Sequence, residues 1–173
     1  MRDIFAMTRA DVVLLSQLQA NSNRSLADLA SVANMSTSAC HRRIRFLEER
    51  GLITGYAARL DPAGLRLGIH GFIEITLVSQ SEQMMSAFEA AVRAHDDILE
   101  CHLMSGSADY LLRIAAIDIA HFDRLHRMCL SKLPGVSSMR TSFSIRNIKA
   151  WQGYPLTHLS VGVHQDDEGI VAA

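Results

Sequence analysis

Arg42, Arg43, Arg45 and Arg50 crowd into a single stretch with His41, inside a longer run, SLADLASVANMSTSACHRRIRFLEERG, from Ser25 to Gly51. At helical spacing Cys40, Ile44 and Leu47 fall at i, i+4 and i+7 and share one face. The opposite face carries Ser38, Arg42, Arg45 and Glu49, with His41 on its shoulder. Guanidiniums and hydroxyls suit phosphate oxygens and base edges. A helix that packs on one side and offers these groups on the other suits the major groove of duplex DNA. The alternative is an ordinary solvated helix, in which Glu48 and Arg50 are plain surface charges.

The neighbouring residues are the ones that would position such a helix. Ser36 can cap its start, and Asn34 and Met35 can make the turn before it. Ser25, with Asp28 three residues on, opens a preceding helix with Leu26, Leu29 and Val32 along one face. Thr8, with Asp11 three residues later, opens a first helix carrying Val12, Leu15 and Leu18 and ending near Asn21. Together these make a three-helix unit. Gly51 is a C-terminal cap, and LITGYAARL, Leu52 to Leu60, reads as a hairpin or wing. Asp61-Pro62-Ala63-Gly64 is rich in turn residues. The expected organisation is a helix-turn-helix domain over 1–60, a linker over 61–67, a second domain over 68–150 and a C-terminal tail over 151–173.

Beyond the linker the period changes to two. Ile69, Gly71, Ile73, Ile75 and Leu77 alternate with His70, Phe72, Glu74 and Thr76, and the same period of two runs through Leu99, Cys101 and Leu103, then Tyr110, Leu112, Ile114 and Ala116, and finally Met139, Thr141, Phe143 and Ile145. Between them Met84, Phe88, Ala91, Val92 and His95, and later Phe122, Leu125, Cys129 and Leu133, are spaced for helices. Pro134-Gly135 stops the second of these. The order β-α-β-β-α-β predicts a ferredoxin-like α+β sandwich with both helices on one sheet face. The other face would carry Phe72, Glu74, Glu100, His102, Leu111, Arg113 and Arg140. Two copies packed sheet to sheet would bury its apolar members and pair its acids with its arginines; cross-strand ion pairs within one copy are the alternative. Trp151 and Tyr154 are expected to pack locally, and Val161 to Ala173 to form a loose end.

The net charge of −1 argues against nucleic acid only until its distribution is read. Residues 1–60 hold 8 arginines against 5 acids, a surplus of +3, so the positive charge coincides with the candidate reading helix. The surplus is small, and one copy should bind DNA weakly and with marked salt dependence. Cys40, Cys101 and Cys129 have no paired spacing and read as small core residues of a reducing compartment. No run of 18 apolar residues appears and no secretory signal is recognisable, so a cytoplasmic protein without a membrane partner is expected. The eight histidines show no metal-ligand spacing, and no phosphate loop or nucleophile elbow stands out. Neither a cofactor, a metal nor a catalytic residue is expected, and the protein is read as not an enzyme.

Four blocks of this chain resemble the leucine-responsive regulatory protein/asparagine regulator (Lrp/AsnC) family of transcription factors, over roughly residues 8–150. They are LADLASVANMS with CHRRIRFLEERGLITGYAARLDP, then FIEITL, then ECHLMSGSADYLLRI, then LPGVSSMRTSF, in the family's order. The resemblance implies a winged helix-turn-helix joined to a ligand-sensing sandwich. It also implies a homodimer assembling to a higher oligomer, double-stranded DNA as partner, and an amino acid or related small molecule as effector at the interface between dimers. Carried onto this sequence, it places Ser36, Thr37, Ser38, His41, Arg42 and Arg45 at DNA. Arg43 matches a recurrent family arginine but flanks the core side, where an ion pair is the alternative. The loop Ser105 to Tyr110 would sense the effector, with Asp109 facing its ammonium, Gly106 exposing backbone N–H groups to its carboxylate, and Leu103, Ile119, Ser142, Phe143 and Ser144 selecting its side chain. For Asp109 the competing reading is a turn aspartate capping backbone amides. The sequence departs from the family at Arg146-Asn147, where acids are frequent, and at Thr37 and Ala39, where prolines are common. Two competing functions are a tetrapyrrole decarboxylase-like enzyme of the same fold and a ligand-binding regulator with a degenerate reading head. Against the enzyme, the junction GLITGYAARLDP holds Arg59 but no histidine, and His70 lies beyond the linker.

Overall fold

The computed structural model describes residues 7–162, with side chains through Leu159. The described residues pack as two compact units, one formed by 7–58 together with 149–162, the other spanning Arg59–Ile148.

In the first unit three helices form where the caps predict them. Thr8 and Asp11 make a reciprocal capping box at the start of α1, Arg9–Ala20, and Asn21 closes it. Ser25 caps α2, Leu26–Val32, and Ser36 caps α3, Thr37–Glu49, each hydroxyl accepting a backbone N–H three residues on. Asn34 takes the left-handed conformation in the turn between α2 and α3, with φ of 52°. Gly51 does the same after α3, where its N–H reaches Glu48 and that of Leu52 reaches Leu47. Leu14, Leu29, Ala30, Cys40 and Ile44 form the core, and Leu47 is also fully buried.

Two expectations shift here. Val12, Leu15 and Leu18 are only half-buried, because α1 packs against both α2 and α3 and the buried line runs between those contacts, along Asp11 and Leu14. Val32, the last residue of a two-turn helix, faces solvent. Where a hairpin or wing is expected over Leu52 to Leu60, no strand forms: a bend at Leu52 and Ile53 leads into chain without regular structure. A lone two-stranded ribbon has little stability of its own, and here the segment is held instead by the Tyr56 hydroxyl, which donates to Glu48 at 2.8 Å.

The second unit begins with an Asx turn, in which the Asp61 carboxylate accepts from the N–H groups of Ala63 and Gly64. Four antiparallel strands follow: β1, Ile69–Leu77; β2, Ile98–Leu103; β3, Tyr110–Ala116; and β4, Val136–Phe143, in the spatial order β2-β3-β1-β4. Between them lie α4, Glu82–Arg93, capped by Ser81, and α5, Ile119–Met128, capped by Asp118. Both helices cover one sheet face. Phe88, Val92 and Phe122 pack with Ile73, Ile75, Tyr110, Leu112 and Ile114 in a single apolar cluster. This is the expected ferredoxin-like arrangement.

Tyr110 is the largest fully buried side chain; its ring lies 4.6 Å from that of Phe88 and its hydroxyl donates to Glu89 at 3.0 Å. Burial, reinforced by that carboxylate, pushes the phenol up to about 12, so it stays a donor at any working pH. Tyr110→Phe is expected to cost about 1 kcal/mol of stability, readable by denaturant unfolding, because Glu89 keeps its Arg93 partner.

Strand β2 differs from its simple alternation. A bulge between Ile98 and Glu100 leaves Ile98 and Cys101 facing the core and turns Leu99 outward. Leu103, opposite Tyr110 on this edge strand, is 61% exposed. On the open sheet face Glu74 lies opposite Arg140 and Glu100 opposite Arg113, at 3.8 Å and 3.1 Å, so both acids pair within one chain. Phe72 remains exposed there, and Arg113 Nε is buried with no acceptor among the described residues.

Trp151 and Tyr154 do pack locally, edge to face with ring centroids 4.8 Å apart. The loose end expected over 161–173 lies, apart from its first two residues, outside the described residues. Among the described residues no helix is long and apolar enough to cross a membrane.

Candidate nucleic-acid interface and effector site

Helix α3 presents two faces of opposite character. Cys40, Ile44 and Leu47 are buried against the other helices, and burial pushes the Cys40 thiol up, away from thiolate chemistry. Ser36, Thr37, Ser38, His41, Arg42 and Arg45 all face solvent. The hydroxyls of Ser36 and Ser38 lie 3.2 Å apart at the helix start, a position suited to phosphate oxygens. Neither Arg42 nor Arg45 has an ion-pair partner among the described residues, so both guanidiniums stand open to an anionic partner.

Arg43 behaves differently. Its Nε and one terminal nitrogen hold the two oxygens of Asp11, a carboxylate with no exposed surface. Thr8 adds its backbone N–H at 2.7 Å and its hydroxyl at 2.8 Å. Burial works to raise the Asp11 pKa but is outweighed by the hydrogen bonds from Arg43 and Thr8 and by the Arg43 charge, which together hold it below the ordinary carboxylate range. The Phe46 ring lies 4.8 Å from the Arg43 guanidinium carbon. This bidentate pair ties α3 to α1 and fixes which way its outer face points. Sequence reading assigned Asp11 to capping alone. The missed signal was its place one turn before Leu14 on the buried line.

The candidate effector residues fall into two groups at opposite ends of the sheet. Leu103, Gly106 and Asp109 lie where β2 turns into β3, beside the Leu77 end of β1. Ile119, Ser142, Phe143 and Ser144 lie at the other end, with Phe143 opposite Gly71 and the Ser144 N–H on the His70 carbonyl. About 20 Å of strand separates the groups. Leu103 lines a groove of about 630 Å³ between α4 and β2, whereas Phe143 lines a separate hollow with Ile145, Arg146 and Ile148. Within one chain the two groups do not meet, and the expectation had placed their site at an interface between dimers. Antiparallel topology sends the end of β2 and the end of β4 in opposite directions.

Asp109 already has partners within the turn. It is buried, and its two oxygens already accept from the Leu77 N–H at 2.7 Å and the Gln80 amide at 2.6 Å. The geometry assigns it to holding the turn, with Gln80 an unforeseen partner. Gly106, by contrast, is exposed, and a Cβ there would meet nothing within 4 Å, so its backbone is open to a ligand.

Comparison with known proteins places both units. Residues 7–54 match the model of a winged helix-turn-helix DNA-binding domain, and residues 70–153 that of the Lrp/AsnC ligand binding domain. The leucine-responsive regulatory protein of Haemophilus influenzae is 37% identical over 83% of this chain and 87% of its own length. An uncharacterised helix-turn-helix-type transcriptional regulator of Sinorhizobium fredii is 47% identical over 67% of this chain and 91% of its own. Among solved structures, a Neisseria meningitidis transcriptional regulator in complex with L-Met superposes with a TM-score of 0.84 at 31% identity, covering 88% of this chain and 99% of that one.

Proposed function

The chain belongs to the Lrp/AsnC family of DNA-binding transcriptional regulators, and from that premise we propose that it reads duplex DNA with the outer face of α3 and answers to an amino acid or a related small molecule. The observation that carries this reading is the contrast among the arginines: Arg43 is locked to Asp11, while Arg42, one residue before it, and Arg45, two after it, stand open with Ser36, Thr37, Ser38 and His41. Residues 1–60 form the reading head in this proposal, joined through 61–67 to the sensing domain over 68–150.

The working unit is a homodimer that assembles further. The exposed Phe72 and the buried Arg113 Nε, which has no acceptor among the described residues, support a second copy covering the open sheet face. The separation of the effector residues supports a site between dimers, in which Leu103 and Gly106 of one copy meet Ile119, Ser142, Phe143 and Ser144 of another. The L-Met complex of the Neisseria relative supports a free amino acid as the ligand class.

Fluorescence anisotropy on DNA selected in vitro by the protein, repeated across a salt series, tests the reading face. Arg45→Ala is expected to weaken binding about tenfold at fixed salt and to reduce the slope of log affinity against log salt by about one. Unchanged affinity and slope would show that α3 does not meet the duplex with this face.

A further inference from the structure

The residues that follow β4 cross from one unit to the other. Phe143 ends the strand, and by Lys149 the chain has rejoined the unit of α1–α3. There it is gripped. The Gln19 side-chain amide donates to the Tyr154 carbonyl and accepts from the Tyr154 N–H, both at 2.8 Å, so it pairs with the backbone as a neighbouring strand would. Gly153 makes this approach possible. Its φ is +106°, and a Cβ there would fall 2.1 Å from Gln19 Cδ. The edge-to-face rings of Trp151 and Tyr154 close the turn around the same point.

We propose that residues 149–154 are a coupling strap, through which a shift at the end of β4 reaches the reading head, with Gln19 and Gly153 as its positioning residues. Ser142, Phe143 and Ser144 belong to the candidate effector site, and the ten peptide links from Ser144 to Tyr154 span at most about 35 Å of chain. A head held only by the linker that leads out of it is free to turn about that attachment. The contact on α1 gives the chain a second attachment to the head, and in this proposal a displacement at the end of β4 is passed along it. The strap thus supplies what an allosteric effect requires, a physical element that both sites bias.

The inference rests on the effector reading above, and its test separates the two. The full chain and its Gln19→Met and Gly153→Ala variants are titrated with the selected DNA, without ligand and with each of the twenty proteinogenic amino acids. Met keeps the volume and helix preference of Gln19 but loses both hydrogen bonds, whereas Ala pushes the amide off the strap from the other side. For the parent chain one amino acid is expected to change DNA affinity by roughly 5- to 150-fold. In both variants that ratio should fall to within about twofold of one, while ligand-free DNA affinity and calorimetric binding of the amino acid stay at the parent's values and the thermal midpoint falls by no more than a few degrees. Variants that respond like the parent would overturn the strap alone. Variants that lose ligand-free DNA binding would make the contact part of the head's fold and overturn its coupling role. A parent chain indifferent to all twenty amino acids would remove the effector reading and the strap with it.

Discussion

Asp11→Ala is expected to destabilise the reading head by about 3 kcal/mol, the lower end of what breaking one side of a buried ion pair costs, because Arg43 keeps part of its guanidinium in water. Two losses combine: the capping box at Thr8 disappears, and Arg43 is left under Phe46 without its carboxylate. A small domain has only about 5 kcal/mol or somewhat more to lose. The single tryptophan, Trp151, groups with the head unit and provides a fluorescence probe, while circular dichroism follows the whole chain. The fluorescence transition should move to lower denaturant and separate from that of the sheet unit, which has its own core. Coincident transitions at the parent midpoint would show that the pair carries no such weight. Asp11→Leu combined with Arg43→Met should recover much of the loss, since an apolar pair of similar volume leaves no stranded charge. The pH dependence has a definite sign. Asp11 has a depressed pKa in the folded chain, so its contribution is complete above the unfolded carboxylate value near 4 and fades as pH falls through the folded value. The head should therefore weaken only in acid.

What the sequence disclosed and what it hid divide along a physical line. Cys40, Ile44 and Leu47 are buried as their spacing says, and β1 runs from Ile69 to Leu77 as its alternation says, because period and capping are local properties. The bulge that turns Leu99 outward depends on the register of β2 against β3, which no property of β2 alone determines. Asp11 and Arg43 lie 32 positions apart, and Gln19 and Tyr154 lie 135 apart. Locally these residues look like an ordinary capping acid, an arginine on the core side whose partner the sequence does not name, a polar helix residue and a tail. The division of the effector residues has a related reason. Their positions along the strands put them at opposite ends of the sheet, which the strands' periods alone do not reveal. In the proposed assembly that division is informative, because a site that no single copy can complete makes ligand occupancy depend on how copies meet.

Asp109 offers the sharpest division between a structural and a ligand-binding carboxylate. Removing the side chain in Asp109→Ala leaves the Leu77 N–H without its acceptor inside the sheet end and releases Gln80, an expected loss of about 1–3 kcal/mol. The loop from Ser105 to Ala108 should loosen with it, and any amino-acid response would be lost for that reason alone, so this variant cannot distinguish the roles. Asp109→Asn can. Its carbonyl oxygen can still accept from Leu77, and its NH₂ can donate to Gln80 once that amide turns over, so the turn survives while the charge is gone. If the carboxylate only holds the turn, as its two short hydrogen bonds argue, Asn should melt within a few degrees of the parent and keep its amino-acid response within about threefold. If the carboxylate instead balances the ammonium of a bound amino acid, Asn should melt like the parent and no longer respond, because a neutral amide cannot offset that charge. A thermal midpoint and a DNA titration with and without ligand, on the same two variants, decide between these outcomes. The geometry commits to the first.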